Sequence, residues 1–198
     1  NAKGWQKAKL SVSQMHYLSD RQVQANNASV TSTETLSPIY GAMDYNFSPD
    51  WTSNLSVTWT PDFGSVSSTN ANTKYQPSNR KVIGFTYTEN SRGPQQAEAS
   101  IMWPLAPQWT VIAKRKEDIR NQQLQDEIWG VRYVNCCWQA SLVNRLWLVD
   151  ESIGLEHGVF FELSLKGLGR TNKQLTPGKK ESMDNIMKGI AGYNEYTQ

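Results

Sequence analysis

Cys136 and Cys137 stand side by side in "RYVNCCWQASLVNRLWL" (132 to 148), and no other cysteine occurs in the chain. Thiols can form disulfides, hold metal or act as nucleophiles, so these two are the first candidates for chemistry. His16 and His157 are the only histidines, and neither stands at metal-ligand spacing, so no zinc set is expected. Asp126 and Glu127 are adjacent carboxylates, but neighbours in a strand point to opposite faces, which makes a poor acid/base pair and favours a solvated rim. No Gly-x-Ser-x-Gly, phosphate-binding glycine loop or HExxH occurs. The residues give no positive sign of catalysis, and neither an enzyme nor a cofactor is expected.

A disulfide within the pair would be strained, because bridged Cα atoms prefer roughly 4.4 to 6.8 Å and adjacent ones sit at about 3.8 Å. Two readings stay open: in an oxidising compartment the thiols bond to cysteines outside this chain, or they are inert and buried.

The elements that would position them follow from composition and pattern. At 198 residues the chain can bury a core as one domain, yet only 38% of it is hydrophobic. No stretch approaches the roughly 20 apolar residues of a membrane helix, which excludes a helical membrane protein. Eight Trp, eight Tyr and five Phe are more aromatics than so polar a chain needs for a compact core. A net charge of +2 is too balanced to argue for nucleic acid. Asn1-Ala-Lys-Gly is neither a start methionine nor a signal peptide, so a processed or cut N-terminus is expected.

Short Pro/Asn turns, "SPD", "PSN", "PLAP" and "VNC", recur about every 28 to 30 residues, and each interval holds two strands. Longer polar connectors, "PDFGSVSS", "ENSRGPQQ", "KEDIRNQQ" and "VDESIGLE", lie between them. Tight turns at one end and long loops at the other are the layout of an outer-membrane barrel. The expected strands are 7 to 17, 36 to 47, 51 to 60, 66 to 76, 80 to 89, 96 to 104, 108 to 117, 124 to 134, 137 to 147 and 156 to 166, the first and fourth alternating poorly. In "WTSNLSVTW" Trp51, Leu55, Val57 and Trp59 share one face while Thr52, Asn54, Ser56 and Thr58 share the other. The same alternation turns Trp129, Val131 and Tyr133 outward, and Val159, Phe161, Leu163 and Leu165. Trp51, Trp109 and Trp138 each follow a tight turn, as an interfacial aromatic girdle would. A soluble β-sandwich with core tryptophans would alternate too, but the periodic turns and unequal loops favour the barrel.

"WGVRYVNCCWQASLVNRL" followed by "GVFFELSLKGLG" closely resembles the C-terminal end of the lipopolysaccharide-assembly outer-membrane family LptD, also called OstA. "DYNFSPDWTSNLSVTWTPD" and "ASIMWPLAPQWTVIAK" resemble strand and turn signatures of that family, and the likeness spans essentially the whole chain, most strongly residues 96 to 168. It implies an all-β antiparallel transmembrane barrel portion of about ten strands over residues 1–168, with a periplasmic tail at 169–198. The implied function is lipopolysaccharide insertion at the bacterial outer membrane. The implied partners are lipopolysaccharide, the plug lipoprotein LptE, the remainder of the protein with its periplasmic jellyroll, the barrel-assembly machinery (BAM) and outer-membrane lipids. Cys136 and Cys137 match the family's tandem cysteines, which bond to cysteines near the N-terminus; the jellyroll and those partners are not in this sequence. A self-contained outer-membrane barrel, a porin or a barrel enzyme, is the alternative.

In the last expected strand Glu156, Gly158, Phe161 and Leu163 resemble the signal read by BAM, since a terminal strand can add to an open sheet edge. Lys7, Lys9, Lys114, Lys116, Arg132, Arg145 and Lys166 fall on the face assigned to the lumen, where cations could meet lipopolysaccharide phosphates or simply be hydrated. The first strand is expected to find no register with the last, because ten strands of a larger wall need not close. In the tail, residues 180 to 189 could form a short helix with Met183, Ile186 and Met187 on one side.

Overall fold

A computed structural model describes residues 4–19, 21–25, 28–32, 36–61, 64–91, 93–150, 152–165, 169–174 and 190, with the backbone alone at 21–25, 28–32 and 169–174. Thirteen strands form: β1 Ala8–Ser13, β2 Arg21–Ala25, β3 Ala28–Ser32, β4 Ile39–Ser48, β5 Trp51–Thr60, β6 Ser65–Ser78, β7 Lys81–Asn90, β8 Gln95–Pro104, β9 Trp109–Asp118, β10 Gln123–Val134, β11 Trp138–Asp150, β12 Gly154–Leu165 and β13 Gly169–Gln174. Eleven lie in one antiparallel sheet in the order β1-β4-β5-β6-β7-β8-β9-β10-β11-β12-β13, and β2 with β3 forms a separate hairpin. The fold is all-β, and each of the ten expected strands is present within a few residues of its expected ends.

Alternation is what allows one sheet to meet two environments. The outer face carries Leu55, Phe85, Trp129 and Leu142, all exposed. The inner face carries a buried row that the register runs across six strands: Val82 opposite Met102, Met102 opposite Ile112, Ile112 opposite Gly130, Gly130 opposite Val143, and Val143 opposite Phe160. Gly130 is forced by this row. A Cβ there would stand 2.5 Å from the Leu142 carbonyl oxygen and 3.0 Å from the Val143 Cα, backbone atoms that cannot step aside. Gly130→Ala is therefore expected to cost about 1 to 3 kcal/mol, the usual penalty of overpacking, read as a lower unfolding midpoint in urea.

Two sequence expectations are corrected. The connectors are not long loops: the strands run on through most of them, leaving breaks of three or four residues at 61–64, 91–94, 119–122 and 151–153, against two to four at the opposite end. Polar residues outside a hydrocarbon layer still ladder through their backbones, so polarity alone does not mark a loop. Among the described strands of the large sheet, β1 and β4 alone are joined by a long stretch, and it holds the β2–β3 hairpin. Strand 156 to 166 is not the last, because β13 pairs with it from Phe160 opposite Gln174 to Leu165 opposite Gly169. "GRTNKQ" has no alternation to announce a strand; the unpaired backbone groups of β12 supply the template instead.

The sheet does not close among the described residues. β1 pairs with β4 and β13 with β12, and no ladder joins β1 to β12 or β13. The expected helix at 180 to 189 lies outside the described residues.

Candidate functional site

The strand starts place the girdle. Trp51 opens β5, Trp109 opens β9 and Trp138 opens β11, so all three stand at the same end of the sheet, exposed on its outer face. Other aromatics extend them: Tyr45 meets Phe47 at 4.7 Å between ring centroids and Phe47 meets Trp51 at 4.8 Å. Tyr133 sits 5.0 Å from both Trp109 and Trp138. The Trp51 indole N–H donates to Thr73 Oγ1 at 3.0 Å. Six residues along β9 from Trp109, about 20 Å of strand, Arg115 pairs with Glu117 and, at 2.9 Å, with Glu127 on the same outer face. The apolar belt on these strands lies between the two boundaries. A hollow of about 590 Å³ there is lined by Ile83, Phe85, Ala99, Ala113 and Trp129, a shape and polarity that suit acyl chains.

The inner face is ionic where the outer one is apolar. Lys114 Nζ lies 3.4 Å from both Glu98 and Asp126, and Arg145 Nε donates to Asp126 Oδ1 at 2.7 Å. One charge from each of β8, β9, β10 and β11 therefore joins into an alternating chain, and the Arg145 guanidinium lies 5.2 Å over the Trp147 ring. Asp126 is thus no solvated rim: it shares the inner face of Ile128, Gly130 and Arg132 by simple alternation, while Glu127 points outward to Arg115. Glu98 and Asp126 were not legible as partners, because only the register sets them beside Lys114.

Of the candidate luminal cations, Lys114 and Arg145 are already paired, and Arg132 is buried with its Nε donating to Ser141 Oγ at 3.1 Å. Lys9 stands opposite Asp44 on β4, and Lys7 accepts a backbone hydrogen bond from Asn46. Lys116 stands opposite Glu98 and Asp126 and is half-buried. Lys166 lies outside the described residues. In β12, Phe161 and Leu163 face outward and are covered along their edge by β13, whereas Glu156 and Gly158 extend beyond its reach. Gly158 makes room for a ring: a Cβ there would meet Phe160 Cε2 at 2.7 Å and Trp147 Cζ3 at 3.1 Å.

Cys136 and Cys137 occupy the bend between β10 and β11, closed by the Asn135 N–H donating to the Trp138 carbonyl at 2.8 Å. The Asn135 side chain accepts from the Cys136 N–H at 2.7 Å. Both residues are exposed, which removes the buried-thiol reading. Their sulfurs lie 2.7 Å apart without a disulfide, so the side chains converge: alternation holds inside a strand and not in the bend before it. Both thiols open from the girdle end beside Trp138.

A two-faced open sheet with an aromatic girdle is a barrel wall in part, and sequence comparison says which. The family model LptD, LPS transport system D, matches residues 1–109. The chain belongs to the LptD family. LPS-assembly protein LptD of Pseudomonas aeruginosa strain UCBPP-PA14 is 31% identical across 97% of this chain, and that of Pseudomonas putida strain GB-1 is 30% identical across 97%. The counterpart in Pseudomonas syringae pv. tomato is 28% identical over the same share. The chain spans about a quarter of these curated relatives, 24% of the first and 25% of the second. The family model ends before the tandem cysteines and β12, whereas the alignments to the Pseudomonas LptD proteins cover nearly the whole chain.

Proposed function

We propose that this chain forms the C-terminal wall of an LptD barrel in the bacterial outer membrane, where it takes part in inserting lipopolysaccharide into the outer leaflet. The observation that carries this reading is the division of one sheet into an apolar, girdled outer face and a charged inner face. Only a wall with hydrocarbon on one side and water on the other calls for both. The names of the Pseudomonas relatives, LPS-assembly proteins, supply the cargo. In this role its partners are lipopolysaccharide, the plug lipoprotein LptE, the remainder of the protein with its jellyroll, outer-membrane lipids and, during assembly, BAM. The two unclosed edges suit such a piece, since β1 is left to accept the missing strands. Glu156, Gly158, Phe161 and Leu163 serve as the assembly signal, with the stretch of β12 beyond β13 as its open edge. Cys136 and Cys137 anchor the wall to the jellyroll.

Lys7, Lys9 and Lys116 remain the cations best placed to meet phosphate, as Lys114 and Arg145 hold carboxylates already. A photoreactive residue at Asn72 or Lys116, inner positions of β6 and β9, is expected to capture lipopolysaccharide in cells carrying the full-length protein. The same group at outward Phe47, beside the girdle, is expected to capture phospholipid. Inner positions that never yield a lipopolysaccharide adduct would return the chain to a plain porin.

A further inference from the structure

Charged side chains on a face that meets hydrocarbon cost least where the wall reaches a water boundary. The outer face of β9 to β12 gathers polar groups at such a place, away from the girdle. Arg115 pairs with Glu117 and Glu127, and on the next two strands the Asn144 Oδ1 meets the His157 ring Nε2. Alternation sets Asn144 and His157 outward, since Val143 and Gly158 are buried on the inner face. Arg115 stands opposite Glu127, Glu127 opposite Leu146 and Leu146 opposite His157, so the group reaches across four strands, roughly 14 Å. The hollow of about 590 Å³ ends at this row: Phe85 and Trp129 flank it, Ala99 and Ala113 floor it, and Arg115 and Glu127 line its polar end.

We propose that this row and hollow form a site for lipopolysaccharide on the outside of the wall, with an acyl chain between Phe85 and Trp129, a phosphate on Arg115 and sugar hydroxyls against Glu127 and Asn144. The proposal rests on the barrel reading and adds to it a place where delivered lipid is held outside the lumen. Charge and width select the occupant. A guanidinium offers five N–H donors in a planar fork that matches phosphate oxygens. Among the described residues three of those on Arg115 go to Glu117 and Glu127, and the side chain remains 59% exposed. Carboxylates only accept hydrogen bonds, so Glu127 calls for a headgroup rich in hydroxyl and amide donors. A phosphorylated amino sugar brings those donors together with the phosphate. Four strands of width take two linked rings, whereas a phosphoglycerol head covers Arg115 and little more.

With benzoylphenylalanine at position 146 of the full-length protein, illumination of cells is expected to give lipopolysaccharide adducts, reduced several-fold by Arg115→Gln and retained with Arg115→Lys. The same group at position 59 reports bulk lipid, because Trp59 is exposed at the same end of the wall between apolar Ile39 and Val66. Its adducts should not change with either Arg115 variant. Phospholipid adducts at position 146, or equal lipopolysaccharide adducts with Arg, Gln and Lys at 115, would overturn the site. If Arg115→Gln fails to assemble, the otherwise unaltered protein still decides: capture at 146 several-fold above capture at 59 supports the site, and equal capture overturns it. Failure of the barrel reading is seen separately, at inner positions 72 and 116.

Discussion

Replacing Cys136 and Cys137 together with Ser in the full-length protein is expected to cripple lipopolysaccharide export, while either replacement alone has a milder effect. Both thiols are exposed in the bend at the girdle end, where the proposed anchoring needs them to be. The bend is closed by the Asn135 and Trp138 backbone pair and by the Asn135 side chain, which accepts from the Cys136 N–H. The two sulfurs share one exposed bend, so the expectation that one bond suffices rests on either thiol being open to a partner there. Each bond to a distant cysteine closes a long loop and is worth about 3 to 5 kcal/mol in the chain-entropy treatment. Non-reducing gels report the bonds and surface lipopolysaccharide reports export; a double Ser variant that exports normally would end the anchoring role.

The second large effect is expected at Asp126. Its carboxylate serves Lys114 and Arg145 at once, and these cations are among the least exposed charged groups on the inner face. Asp126→Ala leaves both with less than they were folded around, and losing one partner of a buried ion pair costs about 3 kcal/mol or more. The variant should unfold at clearly lower urea, with β9, β10 and β11 losing protection against amide exchange first. Reversing Lys114 or Arg145 to Glu should behave the same way and so would mislead as a test of cargo binding. Reversal of Lys7, Lys9 and Lys116 together should instead slow lipopolysaccharide delivery with assembly intact. If Asp126→Ala unfolds like the parent protein, the ion chain is an ornament of the wet face.

The alternation in "WTSNLSVTW" and "GVFFELSL" determined by itself that these segments are strands with one apolar face, because side chains in an extended chain must alternate whatever they pack against. The tryptophans after the tight turns likewise determined which end carries the girdle, since a turn fixes where the following strand begins. Family resemblance was legible in the residues around Cys136 and Cys137. Everything that depends on which residue stands opposite which was not. Alternation alone turns Asp126 inward with Ile128, but only the pairing of β9, β10 and β11 sets Lys114 and Arg145 beside it. Gly130 reads as a weak point of a strand until Val143 is brought against it. β13 has no pattern of its own and exists because β12 offers an edge. Ile190, one of several apolar residues in a polar tail, clusters with inner side chains of six strands, a juxtaposition across more than a hundred residues that local spacing does not encode.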